Sequence, residues 1–206
     1  MTYVNYRFRF KPEKFVEAVS YLLSRVGPSA RMRIVKLLYL ADRTHLVRHG
    51  TPILGDRYYR LPFGPIPSRA LDLLEAAANI VAGDREVAPD AVSDFLLDRL
   101  EIVQPDSKYP TYRIRRPVER TSLDFLSASE IEALDIAVAR YGRLQARELS
   151  DLSHRHDTYT KTEPTQEIDY QLFFSDEPDA NPEALRYLLV SQEDRELVEK
   201  LRSLNG

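Results

Sequence analysis

The stretch ARMRIVKLLYLADRTHLVRHGTP, residues 30–52, decides how the rest of the chain is read. Ile34, Leu37, Leu38, Ala41 and His45 fall on one stripe at helical spacing. Gly50 followed by Thr51-Pro52 is a stop signal, because glycine tolerates the left-handed backbone that closes a helix and proline cannot continue one. A helix from about Ala30 to His49 is therefore expected. Upstream, Phe15, Val19, Leu22 and Val26 recur on one face after Pro12, a residue compatible with a first helical turn, so another amphipathic helix should end before Gly27-Pro28.

Downstream the pattern breaks up. Gly55-Asp56 reads as a turn and Arg57 to Leu61 as a short extended piece, while Pro62, Gly64, Pro65 and Pro67 predict an irregular, stiff loop up to a helix starting near Ser68. Leu71, Leu74 and Ala78 carry that helix toward Gly83, and Ala91 to Leu97 suggests one or two further turns. Glu101-Ile102-Val103 and Thr111 to Ile114 read as a small β-hairpin. Ser127 and Glu130 match a capping box, in which each residue's side chain satisfies the other's backbone amide. Ile131, Leu134 and Val138 then share one face as far as Tyr141-Gly142, and Ala146, Leu149 and Leu152 predict a second helix, so Ser127 to His154 forms a helical hairpin. Asp157 to Asn181 is polar and proline-containing except for Ile168 to Phe174, an apolar segment suited to docking as a strand. Asn181-Pro182 and Ser191 suit the caps of two closing helices, about Glu183 to Leu189 and Gln192 to Leu204. The expected fold is mainly α: a compact helical domain over residues 1–156 with a small β-hairpin or short strands, and a C-terminal helical arm over residues 157–206.

Composition narrows the function classes. Of 206 residues, 43% are hydrophobic and 30% charged, which is ordinary globular usage and excludes fibrous and wholly disordered classes. The absence of cysteine removes disulfides, thiolate nucleophiles and sulfur-ligated zinc, and fits a reducing compartment. The start has no signal-peptide run and no segment approaches a membrane span, so the expected location is the cytoplasm, with no membrane partner. The net charge of −3 hides an asymmetry: 13 Lys and Arg against 6 Asp and Glu up to residue 80, then 16 against 26. The basic half meets either an acidic partner or the chain's own acidic half.

Several constellations invite chemistry. Asp42, His45 and His49 lie at positions i, i+3 and i+7 of the central helix, with Asp56 in the next turn, so a cation site is conceivable on spacing. The His45-to-His49 pair lacks the glutamate base of a metalloprotease helix, and Arg48 repels a cation. His45 therefore reads better as a half-buried imidazole bonded to a carbonyl or carboxylate. His154 and His156, with Asp151 and Asp157 near, stand at a helix end, where the macrodipole already favours histidine. No phosphate-binding glycine loop or nucleophile elbow is present, so no cofactor is expected. The helical hairpin offers Arg140, Arg143, Arg147 and Arg155 as phosphate contacts, but interleaved carboxylates neutralise them, and nucleic acid is disfavoured as a partner.

The run Lys36 to His45, continuing into His49-Gly50-Thr51-Pro52-Ile53, resembles the hallmark helix of the Panacea family of SocA-like, phage-associated proteins. Gly55-Asp56-Arg57-Tyr58 and Phe63-Gly64-Pro65-Ile66-Pro67-Ser68 are similar to the next two family segments, and Leu126 to Glu130, Leu134-Asp135, Tyr141-Gly142 and Leu149 to His154 follow in order. Lys36, Asp42, His45, Gly55, Gly64, Pro65, Pro67 and His154 are the family-motif positions. The chain departs at Ser153, where threonine is usual, and at Tyr159, which stands in place of a tryptophan. The resemblance implies a mainly helical antitoxin of a toxin–antitoxin system, not an enzyme, that neutralises a toxin encoded beside it by direct protein–protein contact. Homo-oligomer formation stays open. The alternatives are a proteolytic adaptor for the toxin, a DNA-binding repressor using the Ser127 to His154 hairpin, or a metal-dependent enzyme using Asp42, His45, Asp56 and His154. For partner contact the sequence favours Asp56, Arg57, Tyr58 and Phe63, and then Tyr170, Phe173 and Phe174, as aromatic groups suited to strand addition or groove docking.

Overall fold

The computed structural model describes residues 8–83, 91–103, 113–115 and 123–190. Pro12 opens α1 (Pro12–Val26), whose missing N–H is harmless in a first turn, and the chain leaves it at Gly27 with φ 72°. A two-residue strand, β1 (Ser29–Ala30), leads into α2 (Arg31–His49). Gly50 ends α2 in the left-handed conformation at φ 75°, its amide closing on the Leu46 carbonyl at 2.7 Å.

Helix α2 is the axis of the molecule, and more of it is buried than one stripe. Besides the five stripe residues, Val35, Lys36, Tyr39, Leu40, Asp42, Arg43, Leu46 and Val47 are buried. A helix covered on nearly all sides must be wrapped by others: α5 (Ala128–Tyr141) lies along it most extensively, joined by α1 and by α6 (Ala146–Ser153). The capping box at the start of α5 is present, Ser127 N donating to Glu130 at 2.8 Å, and the same carboxylate receives Lys14 of α1 at 2.6 Å. A second box, Gln145 with Glu148, opens α6 and has no counterpart among the sequence expectations. Glu17 of α1 accepts the amides of Phe125 and Leu126 and so fixes the approach to α5.

The proline-rich segment expected to be irregular is a hairpin. Strand β2 (Tyr58–Leu61) pairs antiparallel with β3 (Gly64–Pro67), Tyr59 opposite Ile66 and Leu61 opposite Gly64, and Pro62-Phe63 forms the tip. Proline has no N–H to give a ladder, yet Pro65 and Pro67 alternate with Gly64 and Ile66, so both prolines take the positions facing away from β2. The other edge of β2 is occupied as well: Arg60 N donates to Gln166 O, Thr165 N to Arg60 O and Ile168 N to Tyr58 O.

From β3 the chain enters α3 (Ser68–Val81), then α4 (Ala91–Leu97). The expected hairpin exists as β4 (Glu101–Val103) against β5 (Arg113–Arg115), with Ile102 opposite Ile114, and β1 adds to its far side. Thr111 and Tyr112 lie outside the described residues, as does the second closing helix. The fold is mainly α with two small sheets, and no described helix is long and apolar enough to cross a membrane.

After α6 and the single turn α7 (Asp157–Thr160), the stretch expected to form an arm lies on the body. Tyr170–Phe173 is a 3-10 turn rather than the anticipated strand, because the Asp169 carboxylate accepts the Gln171 amide and starts a turn. Tyr170, Phe173 and Phe174 are buried in the core. Residues 182–190 are helical, and Asn181 N donates to Val47 O at the end of α2.

Candidate functional site

Two buried carboxylates organise the loop between α2 and α3. Oδ1 of Asp42 accepts the amides of Ile53 at 2.7 Å and Leu54 at 3.0 Å, while Oδ2 accepts the Tyr58 hydroxyl at 2.8 Å. Asp56 does the same for the next element: Oδ1 accepts from Arg57 N and Arg69 N, and Oδ2 from Ala70 N at 2.8 Å. Arg69 and Ala70 are first-turn amides of α3, whose own N-cap residue, Pro67, supplies no side-chain bond, so Asp56 caps that helix from a distance. Burial pushes Asp42 up to about 7 and Asp56 up to about 6, against hydrogen bonds that lower both.

His45 meets a carbonyl as expected, but it is buried rather than half-buried. Its Nδ1 meets the Thr51 carbonyl at 2.6 Å and its Nε2 the Ser129 hydroxyl at 3.1 Å. Asp42, His45, Asp56 and His154 do not converge, and among the described residues no group of three His, Asp or Glu side chains is placed to hold a metal ion. His156 is turned inward to Tyr39 Oη at 2.9 Å, and the same hydroxyl bonds Thr158 at 2.7 Å.

Lys36, Gly64, Pro65, Ser153 and His154 do come together. Lys36 is fully buried, and its Nζ donates to the Pro65 carbonyl at 2.9 Å, without an ion pair among the described residues. Gly64 (φ 97°) lies so close that a Cβ there would stand 2.6 Å from Lys36 Nζ and 2.5 Å from Ser153 Oγ. The His154 ring is stacked on Tyr159 at 4.2 Å, with Arg60 over the Tyr159 ring at 4.5 Å. His154 Nε2 is buried without a partner among the described residues.

Burial pulls the Lys36 ammonium down from 10.5 to about 7. Between about pH 7 and 10 the unfolded chain thus holds a proton that the folded chain has lost, so this group makes stability rise with pH across that window. Lys36→Met should flatten the rise by up to about 1.4 kcal/mol per pH unit. Urea unfolding of both proteins at several pH values in that window checks it, and parallel curves would disprove the assignment.

Of the residues chosen from sequence for partner contact, the structure separates two groups. Phe63 is 62% exposed at the hairpin tip, and Arg57 is partly exposed, ion-paired with Glu167 and lying over the Tyr59 ring. Asp56, Tyr58, Tyr170, Phe173 and Phe174 are buried. Tyr58 is spent on Asp42 and packs its ring 5.4 Å from that of Phe173, and Tyr170 donates its hydroxyl to the Asp56 carbonyl. The expectation of exposed aromatics there is corrected: each hydroxyl has an internal acceptor, which makes burial affordable. Beside Phe63 an open cavity of 490 Å³, not anticipated from sequence, is walled by Met32, Phe63 and Ala146 and edged by Arg147, Ser150 and His154.

The family described as antitoxin SocA-like, Panacea domain, matches residues 34–160. The chain belongs to that family. No curated protein and no solved structure matches it. The Panacea domain match takes in α2 from Ile34 onward, the β2–β3 hairpin, both buried aspartates and the Lys36 cluster, and it ends before the 3-10 turn that completes the core around Tyr58. In this Panacea domain Asp42, His45 and Asp56 each bond the chain's own backbone, and Asp42 and His45 also bond the hydroxyls of Tyr58 and Ser129. Gly55 belongs with them: at φ 66° it runs so close to the Arg9 carbonyl that a Cβ would stand 2.3 Å away.

Proposed function

We propose that the protein is an antitoxin that neutralises a cognate toxin by direct binding, using the tip of the β2–β3 hairpin together with α6. The observation that carries this reading is Phe63, the most exposed large apolar side chain among the described residues, beside an open apolar cavity. Phe63 follows Pro62 and precedes Gly64-Pro65, and the hairpin is anchored below by Lys36 and Ser150, whose hydroxyl donates to the Phe63 carbonyl at 2.6 Å. An aromatic group on such a stiff support loses little conformational entropy on binding. Arg57 is the second exposed group from the sequence-derived set, and the buried aromatic residues support the hairpin from beneath.

This reading is one of binding without turnover. Of the four groups a metal-dependent enzyme would use, Asp42, His45 and Asp56 are committed to internal hydrogen bonds, and His154 stands apart from them, stacked on Tyr159.

Co-expression with the product of the adjacent gene tests it. Growth rescue and a co-purifying complex are expected, and Phe63→Ala should weaken the complex at least about tenfold while changing stability by less than about 0.5 kcal/mol. Rescue and complex unaffected by Phe63→Ala would remove the proposed surface, and no rescue by the parent protein would remove the function.

A further inference from the structure

The cavity beside Phe63 has a chemical character of its own. Its walls, Met32, Phe63 and Ala146, come from α2, the hairpin tip and α6, and they are apolar. Its surroundings are cationic. Arg147 lies on the rim, and Arg60 lies over the ring of Tyr159, which stacks on His154. Arg33, next to Met32, donates to the carbonyls of Gly142 and Leu144, which carry no charge to offset it. Beside these three arginines stand two carboxylates, Asp151 on the rim and Glu148, which accepts the Gln145 amide at 2.7 Å. An apolar hollow in a positive field attracts one kind of side-chain pairing, a hydrophobic group beside a carboxylate.

Resting on the antitoxin reading above, we propose that the cavity receives an acidic segment of the partner protein, one large apolar side chain filling the hollow and an adjacent carboxylate held by Arg147. The cavity of 490 Å³ accommodates a phenyl or leucyl group with room for the main chain that bears it. Arg147 presents a planar fork suited to a carboxylate, and the surrounding cations strengthen its attraction. The rim's own carboxylate, Asp151, repels an acidic group, so the partner's carboxylate is held on the Arg147 side of the rim.

The probe is 3-phenylpropionate, with 3-phenylpropan-1-ol and 3-phenylpropylamine as neutral and cationic isosteres, titrated into the full-length protein at low salt and followed by amide chemical shifts. The carboxylate should bind at least about fivefold more tightly than the alcohol, with shifts at Met32, Phe63, Ala146 and Arg147. Arg147→Gln should erase that preference while leaving alcohol binding in place. Equal binding of alcohol and carboxylate, tighter binding of the amine, or no shift at these residues at about 10 mM probe would each overturn the inference. Growth rescue is scored separately: rescue without carboxylate preference sinks this inference alone, and carboxylate preference without rescue sinks the antitoxin reading alone.

Discussion

Asp42→Ala should lower the unfolding free energy by about 4 kcal/mol, because it strands three buried donors at once: the amides of Ile53 and Leu54 and the Tyr58 hydroxyl. Asp42→Asn should cost less than about 2 kcal/mol, since Oδ1 can still accept both amides while Nδ2 donates to the tyrosine oxygen. The two variants also separate geometry from charge. With Asp42 raised from 3.8 to about 7, the folded chain holds a proton that the unfolded chain releases, so stability is fully present below about pH 4 and falls as pH rises through 7. Urea unfolding should show that fall reduced in Asp42→Asn, with Asp56, raised to about 6, supplying the remainder. If alanine and asparagine behave alike, Asp42 is not the anchor of this loop.

The second large effect is expected at Gly55. Gly55→Ala combines a left-handed backbone at φ 66° with a Cβ placed 2.3 Å from the Arg9 carbonyl oxygen, a backbone atom that moves only if the N-terminal segment moves. A loss of about 3 kcal/mol or more follows from the sum of conformational and overpacking costs. Gly83→Ala is the control, with a similar φ of 80° and nothing within 4 Å among the described residues, so the conformational cost of about 1 kcal/mol applies. Gly64→Ala should fall between them, because its near neighbours are the ends of the Lys36 and Ser153 side chains. Melting and urea curves of the three variants rank them, and a Gly55 variant no worse than the Gly83 variant would refute the close packing.

What was legible in the sequence was local. The stop at Gly50, the Ser127 and Glu130 box, and the carbonyl partner of His45 each involve groups within a few residues, or a stripe shared by one helix. The ordered family segments added the mainly helical class. The β2–β3 hairpin escapes a rule that takes proline as a breaker, although Pro65 and Pro67 at alternate positions are themselves the mark of a strand with one unpaired side. The placement of Tyr58 and Phe173 was missed for another reason. Their burial depends on acceptors and aromatic neighbours far along the chain: Asp42 for Tyr58, and for Phe173 the rings of Tyr39, Tyr58 and Tyr170. The same holds for Arg43, buried against Asp176 and Glu177, and for the cavity, whose walls come from α2, the hairpin tip and α6. No spacing rule links such residues.

The way the hairpin is bordered has a consequence for how partners can change over evolution. One side of β2 is filled by residues 165–168, and the outward side of β3 offers proline carbonyls, the first already taken by Lys36. No main-chain ladder is left along this hairpin for a foreign strand to join, so a partner bound at the proposed surface would be read by side chains. On the proposed surface, replacing Phe63 or Arg147 would change what is bound without disturbing a hydrogen-bond register, so one scaffold could be retargeted by single substitutions while its interior stays unchanged.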